Sequence, residues 1–82
     1  MYFLYILYSI HLDRYYVGST EDISMRLKEH LWSHKGFTSK AKDWELKYSE
    51  SFESKIEAMA RERQIKKWKS RRLIEKLISS SD

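Results

Sequence analysis

The sequence predicts an α+β fold: a small three-stranded antiparallel sheet flanked by helices, in the order β-β-α-β-α-α. Three observations predict it. The chain opens on an apolar stretch rich in tyrosine, two further short stretches have strand character, and three segments carry apolar residues at helical spacing. The length of 82 residues leaves no room for a second core. We therefore expect a single domain over residues 1–82, with a frayed tail at 79–82.

Two strands open the chain, and we expect them to pair as a hairpin. Residues 2–9 carry aromatic and β-branched side chains on both faces, which is typical of a central strand. Residues 11–14 are the predicted turn, and residues 15–20 the second strand. Gly18 interrupts this second strand, which indicates either a bulge or the close approach of another group.

A helix follows the hairpin, with Thr20 or Asp22 as its cap and its end near Trp32. Its inward stripe consists of Ile23, Leu27 and Leu31. Two ionisable residues, Arg26 and His30, lie at the edge of that stripe. Their position is unusual for an ordinary surface helix, because the edge of the stripe borders the core.

The rest of the chain predicts a loop, a strand and two helices. Residues 33–43 form the loop, and residues 44–52, which alternate imperfectly, form the third strand. Ser54 and Glu57 have the spacing of a capping box, so the next helix begins there and ends near Trp68. We expect Trp68 to lie in the core rather than to serve as a stacking platform for bases.

The inward lines of the last two helices differ in character. On the first of these two helices, the residues expected to face inward are Ala58, Met59, Glu62 and Ile65. The last helix can be capped by Ser70, and its line consists of Leu73, Ile74, Leu77 and Ile78. Glu62 thus puts a carboxylate where an apolar residue is expected. Burying an unpaired charge costs several kcal/mol, which is on the order of the whole free energy of unfolding of a small domain.

Composition excludes several classes of protein. The chain has no cysteine, which rules out a disulfide scaffold, a cysteine-ligated zinc site, an iron–sulfur cluster and a thiol nucleophile. No apolar run approaches the roughly 18–20 residues of a membrane span. The opening stretch lacks the basic leader and cleavage site of a signal peptide. We therefore expect a cytoplasmic protein without a membrane partner.

Positive charge is concentrated near the end of the second helix. The net charge is +4, but residues 61–72 carry seven cations and one anion, which leaves the remainder at −2. This asymmetry favours nucleic acid as partner, with a solvated helix face as the alternative. The residues expected to contact DNA are Lys66, Lys67, Lys69, Arg71 and Arg72, extended by loop lysines Lys35, Lys40 and Lys42. Contacts to phosphates do not read bases, so we expect little sequence specificity.

Three ionisable residues, Arg26, His30 and Glu62, lie where the helical period calls for apolar ones. Either they form a satisfied network, with Glu62 paired to Arg26, or they line a wet cleft. Tyr5 and Tyr16 lie in adjacent predicted strands and can face the same cleft. Spacing alone leaves both possibilities open.

The motifs in this order resemble a known family. Phe3-Leu4-Tyr5 and, in the next strand, Tyr16-Val17-Gly18 are similar to the paired motifs of the GIY-YIG nuclease superfamily. Residues 20–30 resemble the family's next block, and residues 58–67 its helix with a metal-binding glutamate. The resemblance covers residues 2–78 and is closest to small stand-alone bacterial members.

The departures from the family pattern are confined to apolar positions. Phe3 replaces the first glycine, while Leu4 and Val17 replace the two isoleucines. The side chains that carry the family's chemistry are all present, namely Tyr5, Tyr16, Arg26, His30 and Glu62. The departures therefore leave the implied chemistry intact.

The resemblance implies hydrolysis of DNA phosphodiesters with a divalent metal, Mg²⁺ or Mn²⁺, and no small-molecule cofactor. This reaction needs acceleration on the order of 20 kcal/mol, and Mg²⁺ commonly takes one carboxylate together with water and phosphate oxygens. Glu62 is the implied ligand and Arg26 the implied phosphate clamp. The substrate that the resemblance suggests is branched or damaged DNA, as it occurs in DNA repair.

The implied roles of the remaining residues are less specific. His30 can hold a tyrosine hydroxyl or the attacking water, or relay a proton. Tyr5 and Tyr16 are both expected to be catalytic, and the general base is not assigned between them. Tyr15 replaces Tyr16 if the strand register slips by one residue. A single site of this kind cuts one strand each time the protein binds DNA. No feature of the sequence specifies an oligomer.

Two other functions compete with the endonuclease. One is a DNA-binding module on the same fold with weak or no turnover. The other is a protein-interaction domain, which would have no affinity for DNA even at about 50 mM salt.

Overall fold

The structure is a computed structural model that describes residues 1–32 and 40–80. The expected α+β fold is confirmed, with three strands and three helices in the predicted order among these residues. The elements are β1 (Tyr2–Ser9), β2 (Arg14–Thr20), α1 (Ile23–Trp32), β3 (Glu45–Phe52), α2 (Lys55–Trp68) and α3 (Arg71–Ser79). The helix α3 continues through Ser79, so the expected tail begins later than predicted, and residues 81–82 lie outside the described part.

The sheet is antiparallel with strand order β2-β1-β3, so the apolar β1 is central, as its two apolar faces predict. The β1–β2 register is continuous and pairs Tyr5 with Gly18. The β1–β3 register shifts between Ile6 and Leu7, whose partners are Tyr48 and Leu46. This irregularity explains the imperfect alternation of β3, because one extra residue changes which side chains face the core.

The central strand contributes to one core on each side of the sheet. Leu4 and Ile6 face α2 and α3, where they pack with the fully buried Ile65. Tyr5 and Leu7 face the opposite side, which α1 and residues 41–44 cover. Because neighbouring side chains of a strand alternate between faces, the four buried residues 4–7 of β1 are divided equally between these two cores.

The three helices begin where the sequence predicts. Asp22 accepts a hydrogen bond from the amide of Met25, so it caps α1, while Thr20 bonds the Asp22 amide. Ser54 and Ser70 cap α2 and α3 through their side-chain oxygens. Each cap satisfies an amide that the first helical turn leaves without a partner.

Two predicted core positions are wrong. Met59 is 39% exposed and Leu73 is 43% exposed. Each lies one residue from a side chain that does face inward, Ala58 and Ile74 respectively. A step of one residue turns a helix by about 100°, so a stripe drawn one residue too wide includes positions that face solvent.

Arg71 ties α3 to the hairpin between β1 and β2. Its guanidinium pairs with the carboxylates of Asp13 and Glu75, and it lies over the rings of Tyr8 and Tyr15. Asp13 has a positive φ of 54°, so the turn is closed by a residue in the left-handed region.

None of the described helices is long and apolar enough to cross a membrane.

The two isoleucines of α2 give a direct test of this packing. Ile65 is fully buried and Ile56 is 78% exposed. We expect Ile65→Ala to lower the free energy of unfolding by about 2–5 kcal/mol, because it leaves a cavity between α2 and the sheet. Ile56→Ala, the same change in the same helix, should cost less than about 0.5 kcal/mol. Urea denaturation of both variants checks this, and equal losses would contradict the packing.

Candidate active site

The central strand holds Tyr5 in the interior, on the face that α1 covers. Its side chain is 1% exposed, and its hydroxyl lies 2.8 Å from Nε2 of His30. His30 is itself buried in the last turn of α1, and the two ring centroids are 5.9 Å apart. A buried hydroxyl needs a hydrogen-bond partner, and His30 supplies one from the neighbouring helix.

Gly18 gives the Tyr5 ring its space. A Cβ atom on Gly18 would lie 2.5 Å from the phenol oxygen and 2.7 Å from the ring carbon Cζ. Any other residue at this position would therefore displace the phenol. Since the β1–β2 register is continuous here, the close approach is the correct one of the two predicted explanations for this glycine, and the bulge is not.

Burial and Arg26 together set the protonation of this pair. Burial raises the pKa of Tyr5 to about 12, against an opposing contribution from its hydrogen bond with the Arg26 guanidinium. Burial also lowers the pKa of His30, and the charge of Arg26 lowers it further. At neutral pH Tyr5 is therefore a neutral phenol and His30 a neutral imidazole, so their hydrogen bond joins two uncharged groups.

Arg26 lies half-buried on α1 and connects the buried tyrosine to the surface. Its hydrogen bond with Tyr5 is the main cause of its own raised pKa, so its charge is permanent. Its Nη1 also pairs with Oε2 of Glu29 at 2.7 Å. Both side chains of that pair are substantially exposed, and exposed pairs of this kind contribute at most about 1 kcal/mol. The guanidinium can therefore exchange Glu29 for another anion.

Glu62 reaches the site from α2, on the other side of the sheet edge. Its Oε1 accepts a hydrogen bond from Oγ of Ser19 at 2.7 Å, and its Oε2 pairs with Nζ of Lys66 at 2.6 Å. Ser19 and Arg26 line one cavity of about 340 Å³, together with Ala58, which lies one helical turn before Glu62. Ser19, the hydrogen-bond partner of Glu62, thus lines the same cavity as the guanidinium.

Tyr16 joins the two parts of the site. Its ring packs edge-on against His30, with centroids 4.8 Å apart, and lies 6.3 Å from the ring of Tyr5. On its other side, Nζ of Lys66 lies 6.0 Å from the ring centre. The charge of Glu62 also contributes to the raised pKa of Tyr5. The side chains predicted from sequence therefore form one contiguous cluster around the β2 edge.

Residues 1–76 match the family model described as the GIY-YIG catalytic domain. The chain belongs to the GIY-YIG family. The match covers most of the 82 residues and confirms the resemblance that the motifs indicate. No curated protein and no solved structure matches the chain. GIY-YIG domains are in general nucleases that act on DNA, so this is a nuclease-type domain.

The GIY-YIG motifs of this chain meet through the strand register. The first motif lies on β1 and the second on β2, and Tyr5 of the first pairs with Gly18 of the second. Tyr15, the predicted alternative to Tyr16, packs on the opposite face of the sheet, where its hydroxyl donates to Glu75. The register therefore selects Tyr16 as the tyrosine that shares a face with Tyr5.

The alternative in which Glu62 pairs with Arg26 does not occur in the structure. Glu62 contacts Ser19 and Lys66, whereas Arg26 contacts Glu29 and Tyr5. The two charged groups are carried by different helices on different faces of the sheet, and they do not form a salt bridge.

The predicted DNA-binding cations fall into two groups. Lys67, Lys69 and Arg72 are exposed near the end of α2, whereas Lys66 and Arg71 already hold acidic partners. Of the loop lysines, Lys40 and Lys42 are exposed, and Lys35 lies outside the described residues. Trp68 packs beside the core as expected, with the Arg61 guanidinium over its ring. The role of these cations in binding DNA stays a prediction.

Sequence reasoning missed Ser19 and the pairing of Lys66 with Glu62. Ser19 directly follows Gly18, but nothing in a strand serine indicates a carboxylate partner 43 positions away. The spacing of four residues between Glu62 and Lys66 was a usable signal, because an acid four residues before a lysine is a favourable helical pair.

The donor set at Glu62 suits a hard cation in a limited way. No group of three acidic or imidazole side chains that could hold a metal occurs among the described residues. Glu62 offers carboxylate oxygens only, which is the ligand type Mg²⁺ prefers, and one protein carboxylate with substrate and water oxygens is a usual set. The residues therefore fit a cation that is held jointly with substrate, not an all-protein cage.

The contact between Gly18 and Tyr5 yields a first prediction for the site. We expect Gly18→Ala to displace the Tyr5 hydroxyl from His30, to lower the free energy of unfolding by about 1–3 kcal/mol and to shift the His30 ring resonances in NMR spectra. Ser49→Ala is the control, since exposed Ser49 pairs with Tyr5 from the other neighbouring strand. An unchanged His30 spectrum in Gly18→Ala would refute the contact.

His30 yields a second prediction, on pH. Its lowered pKa means that the unfolded chain binds this proton more readily than the folded protein does. The stability contributed by neutral His30 is thus present above the ordinary pKa of about 6.5 and is lost as pH falls through the lower folded pKa. We expect the free energy of unfolding to decrease from about pH 7 to about pH 5, where carboxylates change little.

The decrease should be smaller in His30→Gln, measured by urea denaturation at each pH. His11→Gln is the matched control, because His11 is exposed on the hairpin turn. A wild-type pH slope retained in full by His30→Gln would contradict the burial of a neutral imidazole.

Proposed function

We propose that this protein is a metal-dependent DNA endonuclease with little sequence specificity. The observation that carries the proposal is the cluster at the β2 edge: strands β1 and β2 supply two phenols, and helices α1 and α2 supply a permanent cation, an imidazole and a carboxylate. Phosphodiester hydrolysis needs groups of these kinds: a cation for the phosphate, a carboxylate for a metal, and a positioned acceptor for the proton of the attacking water.

Arg26 is the proposed phosphate clamp. Its planar guanidinium can donate to two phosphate oxygens, and its raised pKa keeps it charged. Its contact with Glu29 is exposed and weak, so a phosphate can replace that carboxylate. The neighbouring Tyr5 hydroxyl is the main cause of that raised pKa, and the guanidinium lines the cavity of about 340 Å³.

Tyr16 is the phenol better able to meet the attacking water, because it is half-buried whereas Tyr5 is 1% exposed. Tyr5 and His30 form the layer beneath it. In this proposal the Tyr16 hydroxyl takes the proton of the attacking water as it passes its own proton to neutral His30, and Tyr5 keeps the imidazole oriented. The pKa of about 12 for Tyr5 argues against Tyr5 as the resting base at neutral pH.

Glu62 is the proposed metal ligand, held in place by Ser19. A divalent cation at this carboxylate would polarise a phosphoryl oxygen and neutralise charge on the leaving oxygen. Exposed Lys67 and Arg72 would contact phosphates away from the active site, which gives binding without base readout and with a steep dependence on salt. DNA of irregular structure, as arises in repair, is the proposed substrate.

One observation favours a second function, a DNA-binding module with little turnover. Lys66 pairs with the oxygen of Glu62 that a metal would take, and this contact is 2.6 Å long. If Lys66 stays there in the presence of DNA and metal, the domain binds without cutting. The two functions differ in a single measurement, the nicking of DNA by the wild-type protein in the presence of metal.

Glu62→Gln separates the two functions. Glutamine keeps an oxygen for Ser19 but removes the charge, so we expect nicking to fall by more than about 100-fold, while affinity for DNA changes by less than a factor of about three. The assay uses plasmid, flap, loop and cruciform DNA with Mg²⁺, with Mn²⁺ and with a chelator. Glu53→Gln is the control, an exposed acid just before α2.

Wild-type protein that nicks none of these substrates with either metal would leave the binding module as the function. Nicking that persists in Glu62→Gln at more than about a tenth of the wild-type rate would remove Glu62 from the metal site.

A further inference from the structure

A groove follows the outer side of β2, an edge strand of the sheet. It consists of two adjoining cavities of about 480 and about 320 Å³, which share Tyr15, Lys69 and Ile74 as walls. We call it the β2-edge groove. The smaller cavity is also lined by Tyr16 and Lys66, which belong to the candidate active site. The groove therefore leads away from that site along the edge of the sheet.

The walls of the β2-edge groove are predominantly cationic. Its lining includes Arg14, Lys66, Lys69 and Arg71. The acid among the lining residues is Asp13, whose carboxylate is paired with Arg71. The side chains of Arg14 and Lys69 are exposed, and neither makes a hydrogen bond or an ion pair within residues 1–32 and 40–80. The charge of Arg14 contributes to the lowered pKa of Asp13. With four cations and one acid among its lining residues, the groove presents an excess of positive charge.

The base of the β2-edge groove is apolar. Its accessible apolar surface consists of the half-buried side chains of Tyr15, Tyr16 and Ile74, with Val17 and Ile65 buried behind them. Duplex DNA presents phosphates and sugars on its outside and keeps its bases stacked inside, so a duplex leaves such a surface uncovered. An unpaired strand exposes its bases, and proteins that bind single strands combine a positive groove with aromatic side chains. Both halves of that combination are present here.

We propose that the β2-edge groove binds an unpaired DNA strand, with phosphates at Arg14 and Lys69 and bases on the apolar base. The proposal rests on the proposed endonuclease function and names its substrate class, DNA in which an unpaired strand borders the phosphodiester that is cut. Each cavity has a volume in the range of roughly 300–1,000 Å³ that is typical of small-molecule sites. A nucleotide is a ligand of that class.

The fold offers a clean test variant at Lys69. Its φ of 46° lies in the left-handed region, where glycine is the preferred residue at the end of a helix. Lys69→Gly therefore removes the cation and relaxes the backbone. Arg14→Gln removes the other cation at the start of β2. Lys47→Gln is the matched control, on the strand at the opposite edge of the sheet.

The experiment measures binding of the full chain by fluorescence anisotropy, with a chelator present and over a series of salt concentrations. One labelled sequence is used as a single strand, as a blunt duplex and as a duplex with an unpaired arm. We expect the wild type to prefer the single strand and the armed duplex. Arg14→Gln and Lys69→Gly should each reduce the single-strand slope of log K against log salt by about 0.7, the value of one lost phosphate contact.

The same two variants should leave the blunt-duplex slope unchanged, and Lys47→Gln should leave both slopes unchanged. Equal losses on the blunt duplex and the single strand would overturn the proposal, as would the same loss in Lys47→Gln. Circular dichroism confirms that each variant is folded. Binding is measured without metal, so the two proposals can fail separately. A protein that nicks no DNA but still prefers the single strand refutes only the endonuclease. A protein that nicks DNA but lacks this preference refutes only the groove.

Discussion

A phenol buried at the centre of the sheet needs hydrogen-bond partners, and the rest of this molecule is arranged around supplying them to Tyr5. The partners come from α1, as His30 and Arg26, one helical turn apart. The space comes from β2, because Gly18 has no side chain at the point where the phenol crosses that strand. The orientation of α1 on the sheet and the register of the hairpin are therefore fixed by one side chain, and both motifs of the family meet at it.

The edge position of β2 explains how groups on opposite faces of the sheet belong to one cluster. An internal strand would separate the α1 face from the α2 face, because backbone pairing closes both of its sides. At an edge, Tyr16 can face α1 while Ser19, three residues later on the same strand, reaches Glu62 of α2. The edge also carries the β2-edge groove, so an exposed strand edge, which is ordinarily an aggregation hazard, is here covered by charge.

Periodicity predicts the fold of this chain better than it predicts the contacts of its site. The helical lines and caps follow from local spacing, which is why α1 and α2 were predicted with their ends and why Glu62 was expected to face inward. The partner of Glu62 was not predictable in the same way, because Ser19 is set by the register of two strands and the crossing of a helix. The prediction that Met59 lies in the core was wrong for a third reason: an apolar residue next to the apolar stripe of a helix fits the pattern without facing the core.

The weak pairing of Lys66 with Glu62 reconciles a resting carboxylate with a site for a metal and DNA. The Lys66 side chain is 51% exposed and that of Glu62 is 21% exposed, and an ion pair that is open to solvent on one side contributes at most about 1 kcal/mol. A phosphate chain entering the β2-edge groove attracts the same ammonium, which sits on a flexible stem. In our proposal the arrival of DNA therefore draws Lys66 from Oε2 at little cost. Ser19 keeps the carboxylate in place throughout, so the ligand is exposed only when the substrate is present.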